Sequence, residues 1–232
     1  MPLKAVVFDA YGTLFDVYAV TARLEACCPG KGASIAQLWR DKQIEYSRLI
    51  SLSDPNAAGS RYYVPFWALT CSALDYALQR FEANIDVEQR QSILDQYEAL
   101  DAFPENARVL QTLKASGIQT AILSNGDPAM LSGAVRGAGF ESLIDHVLSV
   151  DAIRQFKTMP QAYALVEQQL GITPAEVLFV SSNGWDVMGA SWFGFATCWI
   201  NRAGLPRETL GPAPTHEGAD LNVVLTVLDR SA

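Results

Sequence analysis

The chain has 232 residues, of which half are hydrophobic and 18% are charged. This composition is typical of a folded globular protein and excludes an intrinsically disordered chain. The 17 basic and 25 acidic residues give a formal net charge of −8, which makes nucleic acids and anionic membranes poor electrostatic partners.

The first predicted element is a short buried strand, Ala5–Phe8, in which every residue is apolar. After a long gap, four further runs have the same character. They are Thr120–Leu123, His146–Val150, Val177–Val180 and Thr197–Ile200. Runs that are apolar nearly throughout are typical of parallel strands covered by helices on both faces. The pattern therefore predicts a parallel sheet.

Between the first two of these strands the chain shows only helical patterns. Ser34 is placed to cap a helix, Tyr62–Phe81 is rich in aromatic residues, alanine and leucine, and Val87–Leu100 repeats apolar residues at helical spacing. The polar stretch Ser51–Gly59 is typical of a turn. We therefore predict a helical cap domain at residues 17–99, inserted after the first strand.

The later strands alternate with helical segments that have clear punctuation. Pro104 opens one such segment and Gly117 closes it, while Pro160 and Gly171 bracket another. Strands alternating with helices form βαβ units, which place helices on both faces of a parallel sheet. We predict a doubly wound, Rossmann-like α/β core formed by residues 1–16 and 100–232, in which residues 211–218 form only a loop.

Membrane spans and a secretory signal are both absent from the pattern. No apolar run approaches the roughly 18 residues that a membrane helix needs, and the N-terminus lacks a signal-peptide core. The four cysteines have no CxxC spacing, and two of them are adjacent, which suits neither a disulfide framework nor a zinc site; they are Cys27, Cys28, Cys71 and Cys198. We expect a soluble, cytoplasmic protein with reduced thiols.

Polar residues follow four of the predicted strands. Asp9 follows the first, Ser124 and Asn125 follow the second, Lys157 lies after the third, and the segment Ser181–Asp186 follows the fourth. Each alone has an ordinary explanation as a turn residue, a helix-entry residue or a solvated charge. Because ligands bind beyond the carboxyl ends of parallel strands, their joint placement favours a functional site there.

These segments also carry a family resemblance. Asp9–Phe15, Ser124-Asn125, Lys157 and Ser181–Asp186 resemble the four motifs of the haloacid dehalogenase superfamily. Within this superfamily, the residues of the fourth motif resemble those of the L-2-haloacid dehalogenases. The segments Cys198–Arg202 and Leu38–Arg40 also resemble that group. The resemblance spans the whole chain. It implies an enzyme that hydrolyses short 2-haloacids and forms a homodimer.

Two positions favour a dehalogenase over a phosphatase. In the superfamily that this sequence resembles, phosphatases have a second aspartate two residues after the first. They also have a magnesium-binding carboxylate early in the fourth motif. This chain has Tyr11 and Ser182 there. Without those carboxylates a hard cation loses oxygen ligands, and phosphoryl transfer loses its proton relay. We expect no metal and no cofactor.

The resemblance also implies roles for individual residues. Asp9 is the expected nucleophile, which displaces halide and forms an ester, with Lys157 as the cation that keeps it ionised. Asp186 is the expected base for ester hydrolysis, acting directly or through Lys157; neither His146, in a strand, nor His216, in a loop, is a credible substitute. The residues expected to position water and the ester oxygens are Thr13, Ser181 and Asn183.

The remaining expected roles concern the substrate. Ser124, Lys157 and backbone N–H groups beside Tyr11 are expected to hold its carboxylate. By resemblance, Arg40 and Asn125 receive the halide. Tyr11, Phe66 and Trp185 are expected to wall the alkyl group, and Tyr163 lies near Lys157, although core packing also explains these aromatic residues. The family usually has proline directly after the lysine, whereas here Thr158 and Met159 precede Pro160.

Two alternatives stay open at this point. One is another hydrolase of the superfamily, above all a small-molecule phosphatase. The other is a binding or scaffold protein that kept the pocket without turnover. The presence of every expected catalytic group argues against the second.

Overall fold

A computed structural model describes residues 3–231. Within them the strands form one parallel sheet of six strands in the order β3-β2-β1-β4-β5-β6. The strands are β1 (Ala5–Phe8), β2 (Gln119–Ser124), β3 (His146–Ser149), β4 (Val177–Ser181), β5 (Ala196–Ile200) and β6 (His216–Gly218). The predicted doubly wound α/β fold is confirmed.

The central strand β1 is buried along its whole length. It pairs with β2 on one side and β4 on the other, so that Phe8 lies beside both Ile122 and Val180. The three strands therefore end within two residues of one another, and the residues that follow them emerge side by side. This register positions the candidate site.

Among the described residues, four α-helices lie between β1 and residue 100, and five follow later in the chain, the first of them before β2. The first four are α1 (Val20–Cys27), α2 (Gly32–Ser53), α3 (Phe66–Arg80) and α4 (Val87–Glu98). The others are α5 (Asn106–Ala115), α6 (Pro128–Gly137), α7 (Pro160–Leu170), α8 (Gly184–Phe193) and α9 (Val223–Ser231). None of the helices in the described part of the chain is long and apolar enough to cross a membrane.

The helical character predicted between β1 and β2 is confirmed, but some of its boundaries were wrong. Ser34 does not cap α2, which already begins at Gly32 without a side-chain cap, and α2 continues to Ser53, into the predicted turn. α3 begins only at Phe66, since Pro65 precedes it. α4 begins as predicted, because the Asp86 side chain accepts from the Gln89 N–H in a capping box.

Three predictions in the core also need correction. The helix assigned to Pro104 begins at Asn106, and β3 is an edge strand whose Val147 is 43% exposed rather than a strand covered on both faces. Residues 216–218 form the sixth strand, so His216 does not lie in a loop. β6 is only three residues long, and its sequence has no apolar periodicity that would predict a strand.

The chain leaves and rejoins the core at neighbouring points. The Asp16 N–H donates to the Asp101 carbonyl at 2.9 Å, and Phe15 forms an isolated antiparallel bridge with Ala102. This arrangement suits an insertion, because the helices between these points can be added without interrupting the sheet. The domain limits 1–16, 17–99 and 100–232 stay a prediction, and residues 1–2 and 232 lie outside the described residues.

Candidate active site

Asp9 lies at the centre of the candidate site, directly after β1. Its backbone N–H donates to the Val180 carbonyl at 2.9 Å, which continues the pairing of β1 with β4 by one residue. The residue is only 5% exposed. Its carboxylate is thus fixed at the carboxyl edge of the sheet, where the sequence predicts it.

The Lys157 ammonium lies between two buried carboxylates. Its Nζ donates to Asp9 Oδ1 at 3.1 Å and to Asp186 Oδ2 at 2.9 Å, and the lysine is 1% exposed. The loop that carries Lys157 is fixed by a hydrogen bond from its backbone N–H to Asn125 Oδ1 at 2.9 Å. Residues that follow four different strands, at positions 9, 125, 157 and 186, thereby meet at one edge.

Burial and charge act in opposite directions on this cluster. Burial by itself would lower the pKa of Lys157, but the carboxylates of Asp186 and Asp9 outweigh it and raise that pKa above its ordinary value. Burial raises the pKa of Asp186, against the opposing influence of Lys157 and of a hydrogen bond from Tyr163. Lys157 therefore remains a cation throughout the neutral range.

Tyr163, on α7, supports Asp186 from behind. Its hydroxyl donates to Asp186 Oδ1 at 2.8 Å, and burial, followed by the negative charge of Asp186, raises the pKa of this tyrosine well above its ordinary value. α8 passes close by, and a Cβ atom on Gly189 would lie 2.4 Å from the Tyr163 hydroxyl. Glycine at position 189 is therefore required for Tyr163 to reach Asp186.

The second oxygen of Asp9 has two different donors. Asn183 Nδ2 donates to Asp9 Oδ2 at 2.8 Å, and the Thr13 hydroxyl donates to the same oxygen at 3.3 Å. Thr13 is itself held by the Ser182 N–H, which donates to its hydroxyl oxygen at 2.8 Å. Asp9 Oδ2 is thus surrounded by donors, whereas Oδ1 accepts only from Lys157 among the described residues.

Two predicted site hydroxyls shape the turns that follow their strands. Ser124 Oγ accepts from the Gly126 N–H at 3.1 Å, and Ser181 Oγ accepts from the Asn183 N–H at 3.1 Å. Each serine ends its strand, and each hydrogen bond skips one residue, as in the turns that serine side chains stabilise. Ser124 also lines a cavity beside Asp9, whereas Ser181 does not.

A narrow cavity lies between the sheet edge and the inserted helices. Most of the residues expected to bind substrate line it, together with two residues of α2 that the sequence analysis did not identify. The lining residues are Asp9, Tyr11, Arg40, Ile44, Ser47, Phe66, Ser124, Asn125 and Trp185. The other expected site residues do not line this cavity but hydrogen-bond to Asp9, to Asp186 or to the backbone nearby; they are Thr13, Lys157, Tyr163, Ser181 and Asn183.

Arg40 reaches the site from α2. Its Nη2 is 3.3 Å from both the Tyr11 carbonyl and Asn183 Oδ1, and its Nη1 is 3.5 Å from Gln43 Oε1. These contacts are longer than the ion pairs around Asp9. Arg40 therefore places a positive charge at the cavity. Its hydrogen bonds are weak enough to be replaced by hydrogen bonds to a ligand.

The apolar side of the cavity is aromatic. The rings of Tyr11 and Phe66 have centroids 6.4 Å apart, and Tyr97 stacks on Tyr11 at 5.9 Å with an angle of 15° between their planes. Burial raises the pKa of Tyr11 well above its ordinary value, which keeps its hydroxyl neutral. Tyr11 also packs closely against Gly126, where a Cβ atom would lie 2.8 Å from the ring.

Several supporting residues were missed by the sequence analysis. Ile44 and Ser47 follow Arg40 by four and seven residues, so helical spacing alone places them on its face. Gln43 is buried and donates to Thr70 Oγ1 at 3.1 Å, while the Tyr97 hydroxyl donates to Gln43 Oε1 at 3.4 Å. Nothing in the sequence connects Tyr97 to this site, because the contact depends on how α4 packs against α2.

The chemistry of the site does not resemble that of a divalent-cation site. No group of three or more His, Cys, Asp or Glu side chains that suits a metal ion occurs among residues 3–228, whose side chains are described. The position between Asp9 and Asp186, where a cation would be expected, is taken by the Lys157 ammonium. The Tyr11 side chain contributes to the aromatic wall, and the Ser182 hydroxyl contacts Thr13.

Comparison with known proteins shows the family to which the chain is similar. A sequence model of the haloacid dehalogenase-like hydrolases matches residues 3–194. The chain is 40% identical over 230 residues to an (S)-2-haloacid dehalogenase of Pseudomonas sp. (strain YL), an alignment that covers 99% of this chain and 96% of that protein. It is 47% identical over 208 residues to an (S)-2-haloacid dehalogenase of Xanthobacter autotrophicus, covering 90% of this chain and 78% of that one.

Solved structures agree closely with the fold. The crystal structure of one L-2-haloacid dehalogenase superposes with a TM-score of 0.95 at 49% identity and covers 99% of this chain and 100% of its own. A structure of the Xanthobacter autotrophicus L-2-haloacid dehalogenase with chloropropionic acid covalently bound superposes with a TM-score of 0.88 at 40% identity, with the same coverage. The resemblance noted in the sequence is confirmed.

Proposed function

The chain belongs to the family of haloacid dehalogenase-like hydrolases, and we propose that it converts short-chain (S)-2-haloacids into (R)-2-hydroxyacids and halide, with inversion. The relatives at 40% and 47% identity are named for that activity. One observation carries the proposal: a buried aspartate follows the central strand, holds a lysine ammonium at 3.1 Å, and faces a small cavity lined by both polar and aromatic side chains.

In the first step, Asp9 attacks the carbon that bears the halogen. Oδ1 is the attacking oxygen, because it accepts a single hydrogen bond and keeps lone pairs free, whereas Oδ2 accepts from Asn183 and Thr13. The C–O bond forms as the carbon–halogen bond breaks on the opposite side, so the carbon inverts and halide leaves with the bonding electrons. The product is an ester between Asp9 and the hydroxyacid.

In the second step, water cleaves that ester at the Asp9 carboxyl carbon. Negative charge then develops on Oδ2, where Asn183 at 2.8 Å and Thr13 at 3.3 Å already donate. Asp186 accepts the proton of the attacking water, directly or through the Lys157 ammonium that it holds at 2.9 Å. As the acyl C–O bond breaks, Asp186 returns this proton to the departing alkoxide oxygen, so that the (R)-2-hydroxyacid leaves. Asp9 then loses the second proton of the water to solvent and is again a carboxylate.

Binding of the substrate uses the front of the cavity. Ser124 and N–H groups beside Tyr11 hold its carboxylate, which the Lys157 ammonium attracts from beside Asp9. Tyr11, Phe66 and Trp185 surround its alkyl group. Arg40 and Asn125 receive the departing halide. Asn125 suits that role because its Oδ1 already accepts a hydrogen bond from the Lys157 N–H. Its Nδ2 donors therefore remain available to a ligand in the cavity that Asn125 lines.

We further propose that the reaction needs no metal or other cofactor. Lys157 supplies the positive charge between Asp9 and Asp186 that a divalent cation would otherwise supply. A phosphatase is not favoured, because the second aspartate of its first motif is replaced by Tyr11, whose ring packs into the aromatic wall.

A halide-release screen with both enantiomers of 2-chloropropionate tests this function. We expect release from the (S) enantiomer alone, at the same rate with and without a chelator, and no phosphate release from phosphate esters. Strict dependence on magnesium, or phosphate release with no halide release, would contradict the proposal.

A single turnover in isotopically labelled water tests the ester intermediate. Because water attacks the carboxyl carbon of Asp9, solvent oxygen enters Asp9 first, and the hydroxyacid carries label only after further cycles. Label in the hydroxyacid after the first turnover would mean that water attacks the substrate directly.

We also propose a cytoplasmic homodimer with a cap domain at residues 17–99. The four free cysteines suit a reducing compartment, and the apolar side chains of Leu49, Leu52 and Tyr62 are at least half exposed on or near α2, where a second copy can cover them. Light scattering should give twice the mass of 25.3 kDa; a monomer at micromolar concentration would contradict the dimer.

A further inference from the structure

A second arginine of α2, Arg48, lies close to the site without an assigned task. It follows Arg40 by eight residues, and helical geometry places it near the same face, next to Ser47, which lines the cavity. Arg48 is half-buried, yet no hydrogen bond or ion pair joins its side chain to another described residue. Its guanidinium instead lies over the Trp185 ring, 4.9 Å from the centroid.

Trp185 has a ring contact with Arg48 but no hydrogen bond from its indole N–H to any residue that the structure describes. Its indole N–H is buried and has no acceptor among the described residues, so no hydrogen bond fixes the plane of the ring. A guanidinium over the face of an indole is attracted by the negative charge density of that face, and more strongly where water is excluded. Because Trp185 lines the cavity, the Arg48 side chain packs on one of the cavity walls.

The charges around the cavity give Arg48 a second role. Asp9 and Asp186 contribute two negative charges, and Lys157 and Arg40 contribute two positive charges, so these four groups sum to zero. The bound 2-haloacid adds a carboxylate, which leaves one negative charge uncompensated in a poorly solvated site. Arg48 is a further cation near the cavity, and like Arg40 it has no carboxylate within ion-pair distance in the described part of the chain.

The surroundings of Arg48 do not already neutralise it. Burial lowers the pKa of Arg48, while the negative charge of Asp186, among others, raises it and so partly offsets that shift. Glu208 also attracts Arg48, but it is exposed, and water screens its charge. Asp127, the other buried carboxylate near the cavity, is occupied by the backbone N–H groups of Met130 and Trp67.

We propose that Arg48 is a positioning residue that selects anionic substrates: its charge compensates the carboxylate of the bound 2-haloacid, and its guanidinium holds the Trp185 ring against the cavity. This inference rests on the proposed dehalogenase function. It makes binding of the carboxylate, rather than displacement of halide, the step that depends on Arg48, because Arg48 does not touch Asp9.

Two substitutions separate the charge of Arg48 from its bulk. Arg48→Met removes the charge and keeps a long side chain, whereas Arg48→Lys keeps the charge. We measure kcat and KM for halide release from (S)-2-chloropropionate, and the calorimetric Kd of propionate, an unreactive carboxylate. Arg48→Met should raise both KM and the propionate Kd about tenfold and change kcat less than about threefold, and Arg48→Lys should restore most of the loss.

Arg136→Met serves as the control, since it removes an exposed arginine of α6 and should leave both constants unchanged. Unchanged KM and Kd in Arg48→Met, equal defects in Arg48→Met and Arg48→Lys, or a loss confined to kcat would each overturn the inference. If the unmodified protein binds propionate in an Arg48-dependent way but releases halide from no 2-haloacid, the proposed function fails and the inference about Arg48 stands.

Discussion

The two sides of the cavity are held in different ways. On the side of the sheet, Asp9, Lys157 and Asp186 are joined by hydrogen bonds of 2.9–3.1 Å and are at most 5% exposed. On the side of the inserted helices, Arg40 makes contacts of 3.3–3.5 Å, and aromatic packing through Tyr97 supports the wall.

This difference follows from how each side is built. Strands β1, β2 and β4 are bonded to one another, so the register of the sheet fixes the distance between the residues that follow them. α2 carries Arg40 and is positioned by side-chain packing, which permits small displacements. The sheet side therefore suits reacting atoms that must be placed accurately, and the helical side suits groups that part to admit a substrate.

The largest expected effect concerns the nucleophile. Asp9→Asn replaces the carboxylate proposed to attack the substrate by an amide of the same shape, so halide release should fall by at least about a thousandfold, with the far-ultraviolet circular dichroism unchanged. Mass spectrometry should also find no covalent adduct at residue 9 after incubation with substrate. Residual turnover within tenfold of the unmodified protein would contradict the assignment of Asp9.

Lys157→Met tests whether the sheet side depends on its buried cation for stability. It leaves Asp9 and Asp186 buried without a counter-charge, so the free energy of unfolding at pH 7 should fall by about 3–5 kcal/mol, together with loss of activity. Urea denaturation measures this. The deficit should shrink as the pH falls, because protonation of the carboxylates removes their repulsion. Lys114→Met, which breaks an exposed ion pair with Asp145, is the control and should lose little.

Arg40→Met makes the corresponding change on the helical side. Since Arg40 is held by long contacts and no carboxylate pairs with it among the described residues, the free energy of unfolding should change by less than about 1 kcal/mol. Halide release should nevertheless fall about a hundredfold, because the leaving group loses its positive partner. Equal losses of stability in Arg40→Met and Lys157→Met would remove the contrast between the two sides.

The smallest expected effect is a shift in pH dependence. Burial raises the pKa of Asp186, and the hydrogen bond from Tyr163 opposes that rise. Tyr163→Phe removes the opposing bond, so the pKa of Asp186 rises further. Because the proposed base Asp186 can accept a proton only when ionised, the acid limb of kcat should move to higher pH, by about one unit or less. A limb that moves to lower pH, or not at all, would contradict this role of Tyr163.

Strong local patterns allowed most of the fold to be predicted. The five long strands and the helices that start at Val87 and Pro160 follow from apolar runs and helix-start residues. The β6 strand was missed because its three residues pair only once β5 is present beside them. Ser34 misled the interpretation because a good capping residue also occurs inside a first turn.

The positions of the reacting groups were determined by the sequence itself, since each follows a recognisable strand and all parallel strands end at one edge. Only the tertiary structure decided which groups touch: that Lys157 bridges two carboxylates, that Tyr163 serves Asp186, and that Gln43 and Tyr97 support Arg40. The reason is physical. Strand endings are specified by local pattern, whereas contacts within 3 Å between distant segments depend on the packing of whole helices against the sheet.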